Sequence, residues 1–144
     1  MSLNHERGFS LIELLIVIAL VGLLAGIAVP AISAGMERFR LISASQQVVS
    51  TIRAARWQAV AKNQILRVRF NYPDAGQYQV LDDANTAIGA VQYLLDGVTF
   101  DESVDLEISA EGRMTAASTI VVTNGDADQD RTISVTTSGR VYLQ

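Results

Sequence analysis

An uninterrupted apolar segment close to the N-terminus constrains this chain more than any other feature. The nineteen residues 14–32 carry no charge, and the only charge between Phe9 and Ile32 is the carboxylate of Glu13. At about 1.5 Å per residue, a helix of this length can cross the roughly 30 Å apolar layer of a bilayer. A carboxylate within such a segment costs up to about 2.5–3.5 kcal/mol on insertion scales. Glu13 therefore needs an explanation beyond membrane anchoring.

Two simple kinds of segment do not account for this pattern. A cleavable secretory signal has a shorter apolar stretch, of about 7–15 residues, followed by a small-residue cleavage site. Here the run is longer, no A-x-A site ends it, and the helical pattern continues into residues 36–40. A plain single-span anchor explains the length of the run but gives no reason for Glu13.

The heptapeptide GFSLIEL at residues 8–14, with its apolar continuation to Pro30, resembles the N-terminal signature of type IV pilins and of the pseudopilins of type II secretion. The resemblance implies that a prepilin peptidase cleaves between Gly8 and Phe9 on the cytoplasmic side of the membrane. It also implies that the new amine of Phe9 is methylated and that Glu13 is the residue for assembly into a filament.

Elementary electrostatics makes that role of Glu13 reasonable. Cleavage gives Phe9 an α-amine with an ordinary pKa of about 7.7–8.0, and Glu13 follows about one helical turn later. In a filament core each unpaired charge is costly, and pairing an amine with a carboxylate offsets much of that cost. We expect Glu13 to pair with the Phe9 amine of a neighbouring subunit and so fix the axial step. The alternative is a glutamate that reaches the lipid headgroups from an ordinary anchor.

Composition excludes several kinds of catalytic site. The chain has no cysteine, and its one histidine, His5, lies in the expected leader. The mature chain would therefore lack Ser-His-Asp and Cys-His catalysis and the usual zinc sites. We expect a protein that is not an enzyme and needs no cofactor.

A second pattern follows the apolar segment. Small and apolar residues recur at steps of three and four, which predicts that one helix spans residues 10–62 and that its second half packs against the protein's own sheet. The residues of this stripe are Leu41, Ser45, Val48, Ile52, Ala55 and Ala59. Trp57 is expected to be a core or packing residue rather than a platform for a ligand.

From Gln64 the period changes to two. Leu66, Val68 and Phe70 alternate with arginines, and a turn at residues 72–76 leads into a second strand at 77–81, so a hairpin is predicted. Further strands are predicted at residues 98–100, 104–108, 118–123, 131–137 and 140–143. The predicted fold class is α+β, with a long N-terminal helix, its first half transmembrane, packed on an antiparallel sheet.

Two later stretches resemble the GspH/FimT group of pilin-like proteins. They are RAARWQAVAKNQ at residues 53–64 and SGRVYL at residues 138–143. The resemblance implies a minor pseudopilin of a type II secretion system, a low-copy subunit at or near the tip of a short periplasmic filament that drives protein export. One alternative is a FimT-like minor pilin of type IV pili, acting in assembly or DNA uptake. A second, from another class, is a single-span membrane-anchored binding or sensor protein.

The same resemblance implies a domain plan, partners and a location. Residues 1–8 would be a cleaved leader, residues 9–35 a transmembrane or filament-core helix, and residues 36–144 a pilin-like domain. The partners would be the prepilin peptidase, other pseudopilins or pilins, and an inner-membrane assembly platform. The chain would cross the bacterial inner membrane once. A periplasmic domain rests on the resemblance alone, because arginines both precede and follow the span.

Charge is divided unevenly along the chain. Residues 36–69 hold seven basic and one acidic side chain, and residues 70–144 hold three basic and twelve acidic ones. Nucleic acid binding is therefore not expected, because phosphate contacts need clustered basic residues. The division could help one subunit to stack against another, or it could be a solvated surface without a partner.

An acidic loop near the C-terminus is a candidate metal site. Asp126, Asp128 and Asp130 are spaced like the start of a calcium loop, but Arg131 stands where an EF-hand needs glycine. The alternative is an exposed hairpin loop whose turn is Asn124-Gly125.

Overall fold

The computed structural model describes residues 9–144. The leader expected at residues 1–8, with the Gly8 side of the processing site, lies outside the described residues. Contacts divide the described chain into two units, one ending at Met36 and the other formed by Glu37–Gln144. One helix, α1 (Leu11–Lys62), contributes residues to both units and continues through Pro30 without a break.

Helix α1 ends in a defined main-chain turn. Asn63 has a positive φ of 49°, the left-handed conformation that commonly follows the last helical residue. The main-chain nitrogen of Gln64 donates a hydrogen bond to the oxygen of Ala59 at 3.1 Å, and that of Asn63 donates to Val60 at 3.3 Å. These bonds satisfy carbonyl groups at the helix end and direct the chain into the first strand.

The helix is followed by eight strands among the described residues. They are β1 (Leu66–Phe70), β2 (Gln77–Asp82), β3 (Gln92–Tyr93), β4 (Thr99–Phe100), β5 (Val104–Ile108), β6 (Ser118–Thr123), β7 (Arg131–Val135) and β8 (Val141–Leu143). Each strand predicted from the sequence is present, with small shifts at its ends. The two-residue strand β3 was not predicted, because both of its residues are exposed and the sequence shows no buried side there.

The strands form two antiparallel sheets rather than one. The first has the order β3-β2-β1-β5 and the second the order β4-β6-β7-β8. In the first sheet Phe70 lies opposite Tyr78 of β2 on one side and Val104 of β5 on the other. The predicted hairpin and the α+β class are therefore confirmed, and the division into two sheets is new.

The core lies where the second half of α1 covers the sheets. Every residue of the predicted helical stripe is buried, and so are the alternating apolar residues of β1. Phe70, Tyr78 and Phe100 form an aromatic cluster with ring centroids 5.3–5.9 Å apart. This packing fixes which side of α1 faces inward and which side remains outside.

A loop between β5 and β6 joins the two sheets beside the helix. Met114 forms an isolated bridge with Ile108 of the first sheet. Its main-chain nitrogen donates a hydrogen bond at 3.0 Å to the oxygen of Thr137, which follows β7 of the second sheet. The loop at 109–114 and the turn at 136–140 are thereby held together.

Candidate functional site

The predicted assembly residue Glu13 lies in the first turn of α1. The main-chain oxygen of Ser10 accepts hydrogen bonds from the nitrogens of Glu13 at 3.0 Å and Leu14 at 3.2 Å. Ser10 is therefore the N-cap residue, and Glu13 occupies the third helical position. Serine followed three residues later by glutamate is a capping-box sequence, the signal that identifies Leu11 rather than Ser10 as the first helical residue.

Phe9 precedes the helix and is exposed, as is Glu13. The structure thus brings these two predicted site residues to the same end of α1, while Gly8 lies outside the described residues. A carboxylate in the first turn is also favoured by the positive end of the helix dipole. Phe9 and the carboxylate of Glu13 are therefore both accessible to another molecule.

The apolar part of α1 has no protein cover. Residues Leu11–Ala28 have a mean hydropathy of 2.8, and none of them is buried. By length and composition this segment can cross a membrane. Because soluble monomers rarely expose so large a continuous apolar surface, lipid or other protein chains must cover it.

The acidic hairpin does not gather its carboxylates around one point. Asp126 accepts hydrogen bonds from the main-chain nitrogen of Asp128 at 3.2 Å and from Nε2 of Gln129 at 2.6 Å. Within residues 9–144, no group of three or more His, Cys, Asp or Glu side chains is placed to hold a metal ion. Asp126, Asp128 and Asp130 therefore have no part in the function proposed below.

A second site, which the sequence did not predict as such, surrounds Arg56. Its Nε donates a hydrogen bond to the main-chain oxygen of Gly112 at 2.7 Å. Gly112 and Gly139 both have positive φ, and a Cβ added at Gly139 would lie 2.6 Å from Nε of Arg56. One edge of the guanidinium group thus lies against two glycine turns, and each turn needs glycine both for its conformation and for its close approach.

Trp57 is not a core residue, and that prediction was wrong. Its side chain is 76% exposed, and the neighbouring Val60 is 51% exposed. The physical reason is its position on the helix, where it falls two residues from both Ala55 and Ala59 of the buried stripe and hence on the opposite side. An apolar surface flanked by Arg53 and Arg56 is therefore open on α1.

The basic strand β1 is neutralised within the chain. Arg67 forms ion pairs with Glu107 at 2.8 Å and Asp83 at 3.7 Å, and Arg69 pairs with Asp105 at 2.9 Å. The carboxylates of these pairs belong to the acidic stretch 70–144. Part of the uneven charge distribution along the chain therefore serves to stabilise the protein's own sheet. Arg53 of the helix is exposed and takes part in none of these ion pairs.

Two known families match this chain, one at its N-terminus and one over most of the remaining residues. Residues 3–29 match the prokaryotic N-terminal methylation motif, and residues 44–139 match the family described as type II transport protein GspH. The methylation motif implies processing by a prepilin peptidase.

Two curated relatives share about a third of their aligned residues with this chain. Type II secretion system protein H of Xanthomonas campestris is 31% identical over 127 residues, which is 71% of this chain and 72% of that protein. The pilin-like protein PilA1 of Thermus thermophilus is 31% identical over 80 residues, which is 56% of this chain and 50% of that protein.

Solved structures share the fold at low sequence identity. The type IV minor pilin FimU of Pseudomonas aeruginosa has a TM-score of 0.63 at 19% identity, covering 75% of this chain and 90% of that one. The minor pseudopilin EpsH from the type 2 secretion system of Vibrio cholerae has a TM-score of 0.56 at 17% identity, covering 72% and 94%. With the methylation motif, the exposed apolar helix and a family match over more than half of its length, this chain belongs to the GspH family, whose members are pilin-like structural subunits and not enzymes.

Proposed function

We propose that this protein is a minor pseudopilin of a type II secretion system. The first part of α1 holds it in the bacterial inner membrane, residues 36–144 lie in the periplasm, and the subunit enters a short filament at or near its tip to drive protein export. The observation that carries the proposal is an uncovered apolar helix whose only charge, Glu13, lies in its first turn, joined to a GspH-family domain.

Processing is the first step of the proposed mechanism. A prepilin peptidase removes residues 1–8 by cleaving between Gly8 and Phe9, and the new amine of Phe9 is methylated. Phe9 and Ser10 precede the first helical residue. Cleavage there leaves the whole of α1 and its N-cap in place, so the mature chain keeps an intact membrane helix.

Assembly is the second step. An inner-membrane assembly platform moves the mature chain from lipid into the filament, where Glu13 pairs with the Phe9 amine of a neighbouring subunit. Two charges that stay unpaired in an apolar core cost several kcal/mol, and good pairing offsets much of that cost. The pairing is satisfied at one axial offset between subunits, so it sets the register.

Substitution of Glu13 tests this mechanism. We expect Glu13→Ala to insert into the membrane normally but to be recovered with other filament subunits at no more than about a tenth of the wild-type level, because the partner amine is left unpaired. Glu102→Ala is the matched control, since it removes an exposed carboxylate outside the apolar segment. Equal recovery of Glu13→Ala and the control would contradict the proposed pairing.

The fold shared with FimU supports a second candidate, a minor pilin of type IV pili. Both candidates use the same processing and pairing, so they differ only in the system that the subunit serves. Complementation separates them: a deletion strain that regains protein export supports the pseudopilin, and one that regains pili instead supports the pilin.

A further inference from the structure

One surface of helix α1 stays largely open to solvent. We name it the Trp57 face and define it by Arg53, Arg56, Trp57 and Val60, which line an open groove of about 280 Å³. Its centre, Trp57, lies opposite the buried stripe of α1 and is 76% exposed, while Arg56 and Val60 at its edge lie against the turn at Gly112. Tryptophan and arginine are the residues most often found at the energetic centre of protein interfaces.

Neither arginine of the Trp57 face pairs with a carboxylate among the described residues. The ion pairs within residues 9–144 involve Arg67 and Arg69 of β1 with carboxylates of their own sheet and its loops. None of these pairs includes Arg53, which is exposed. The basic rim around Trp57 is therefore available to carboxylates of another molecule.

Part of the face is already held in place. The hydrogen bond from Arg56 to Gly112 and the close approach of Gly139 fix the guanidinium group beside Val60. A side chain that is ordered before binding loses less conformational entropy when a partner arrives. The groove can thus receive an apolar group without first being rearranged.

The part of α1 that belongs to the domain, residues 37–62 (the domain helix), carries its one carboxylate, Glu37, at its start beside Arg38 and Arg40. Glu37 and Asp96 line a crevice at its start together with Arg40, and Asn124, where the acidic hairpin begins, lines the same crevice. The Trp57 face lies about five turns further along α1 and carries only basic charge. Subunits inserted by the same N-terminal helix would point in one direction, and the Trp57 face of one would then meet the helix-start end of another.

We propose that the Trp57 face docks the acidic end of a different pilin-like subunit in the filament. The indole of Trp57 enters an apolar contact on that subunit, and carboxylates around the contact pair with Arg53 and with the free edge of Arg56. The choice of a different subunit rests on the proposed function, because a low-copy subunit near the tip has other subunits as its neighbours.

A single fluorine label can follow this contact. The chain contains one tryptophan, so full-length processed protein grown with 5-fluorotryptophan and held in detergent gives one ¹⁹F resonance, from Trp57. The probes are the other pilin-like subunits of the same assembly system, unlabelled and added one at a time. We expect one of them to shift or broaden the resonance and to bind more weakly as salt is raised, because salt screens exposed charges.

Charge reversal on the helix gives a matched pair of variants. Arg53→Glu should weaken that association at least about tenfold, and Arg38→Glu, an equal charge change at the other end of the domain helix, should leave it within about threefold. A resonance that no subunit moves, equal loss in both variants, or movement only by an unlabelled copy of this chain would overturn the proposal.

The same preparations separate this proposal from the function on which it rests. Arg53→Glu should still begin at Phe9 and still be recovered from the membrane, since neither step involves the Trp57 face. A processed, membrane-inserted chain whose Trp57 resonance never responds overturns only the docking proposal. A chain that is never processed overturns the proposed function.

Discussion

Arg56 donates a hydrogen bond from Nε to the main-chain oxygen of Gly112 at 2.7 Å, although 56 residues separate the two in sequence. Gly139 closes over the same guanidinium group from the turn between β7 and β8. The two stretches that resemble the GspH/FimT group, residues 53–64 and 138–143, therefore meet at one side chain. This contact ties the helix to the loop between β5 and β6, which joins the two sheets, and to the turn between β7 and β8 of the second sheet.

Loss of that contact should weaken the domain. Arg56→Ala removes the bond to Gly112 and the packing of the side-chain stem, so we expect the free energy of unfolding to fall by about 1–2 kcal/mol. The measurement is denaturant unfolding of the full chain in detergent, followed by the near-ultraviolet signal of the tyrosines. Arg53→Ala, an exposed arginine one turn earlier, should change it by no more than about 0.5 kcal/mol. Equal effects of the two substitutions would show that Arg56 is not a structural link.

The turn at Gly139 should tolerate an added side chain less well than the turn at Gly125. A Cβ at Gly139 would lie 2.6 Å from Nε of Arg56 and 2.7 Å from the main-chain oxygen of Gly112. Gly125 has a comparable positive φ but no atom within 4 Å of an added Cβ. We expect Gly139→Ala to lower the unfolding free energy by at least about 1 kcal/mol more than Gly125→Ala, because only the first adds a clash to the backbone strain. Equal unfolding midpoints for the two variants would contradict this.

Tyr78 should make the domain sensitive to alkaline pH. Burial of the ring raises the pKa of its hydroxyl, and the nearby side chains of Thr51 and Gln47 lower that pKa only in part. No described residue makes a hydrogen bond with the hydroxyl. Because the folded state holds the proton more tightly than the unfolded state, the free energy of unfolding should decline as pH rises above about 10, the ordinary tyrosine pKa.

The matched variants are Tyr78→Phe and Tyr142→Phe. The first should remove a measurable part of the alkaline decline and leave stability at neutral pH unchanged or slightly higher, because it deletes a buried hydroxyl without a bond. The second alters a half-exposed tyrosine and should keep the decline. Unfolding curves recorded from pH 8 to 11 decide this, and an identical decline in both variants would exclude Tyr78 as its source.

Much of the fold follows from local pattern. The stripe from Leu41 to Ala59 and the alternation in β1 each repeat often enough to identify an element and its buried side. The pairing of β1 with β5 and the separation into two sheets do not follow, because they depend on contacts between distant residues. The hydrogen bond from Arg56 to Gly112 could not be predicted for the same reason, since 56 residues separate the two.

Trp57 shows how residue type can mislead. The helical period that correctly assigns Ala55 and Ala59 to the core also places Trp57 on the outer side. The general tendency of large aromatic residues to be buried favoured the wrong interpretation. Glu13 is the opposite case. Its position in an apolar run was enough to single it out, although its proposed partner is a group on another subunit.

The mass of the mature N-terminus tests the central claim most directly. Cleavage and methylation create the Phe9 amine that Glu13 is proposed to meet, and without that amine the pairing has no second partner. Mass spectrometry of protein purified from its native membrane should show a chain that begins at N-methylated Phe9. A chain that still begins at Met1 would contradict the account.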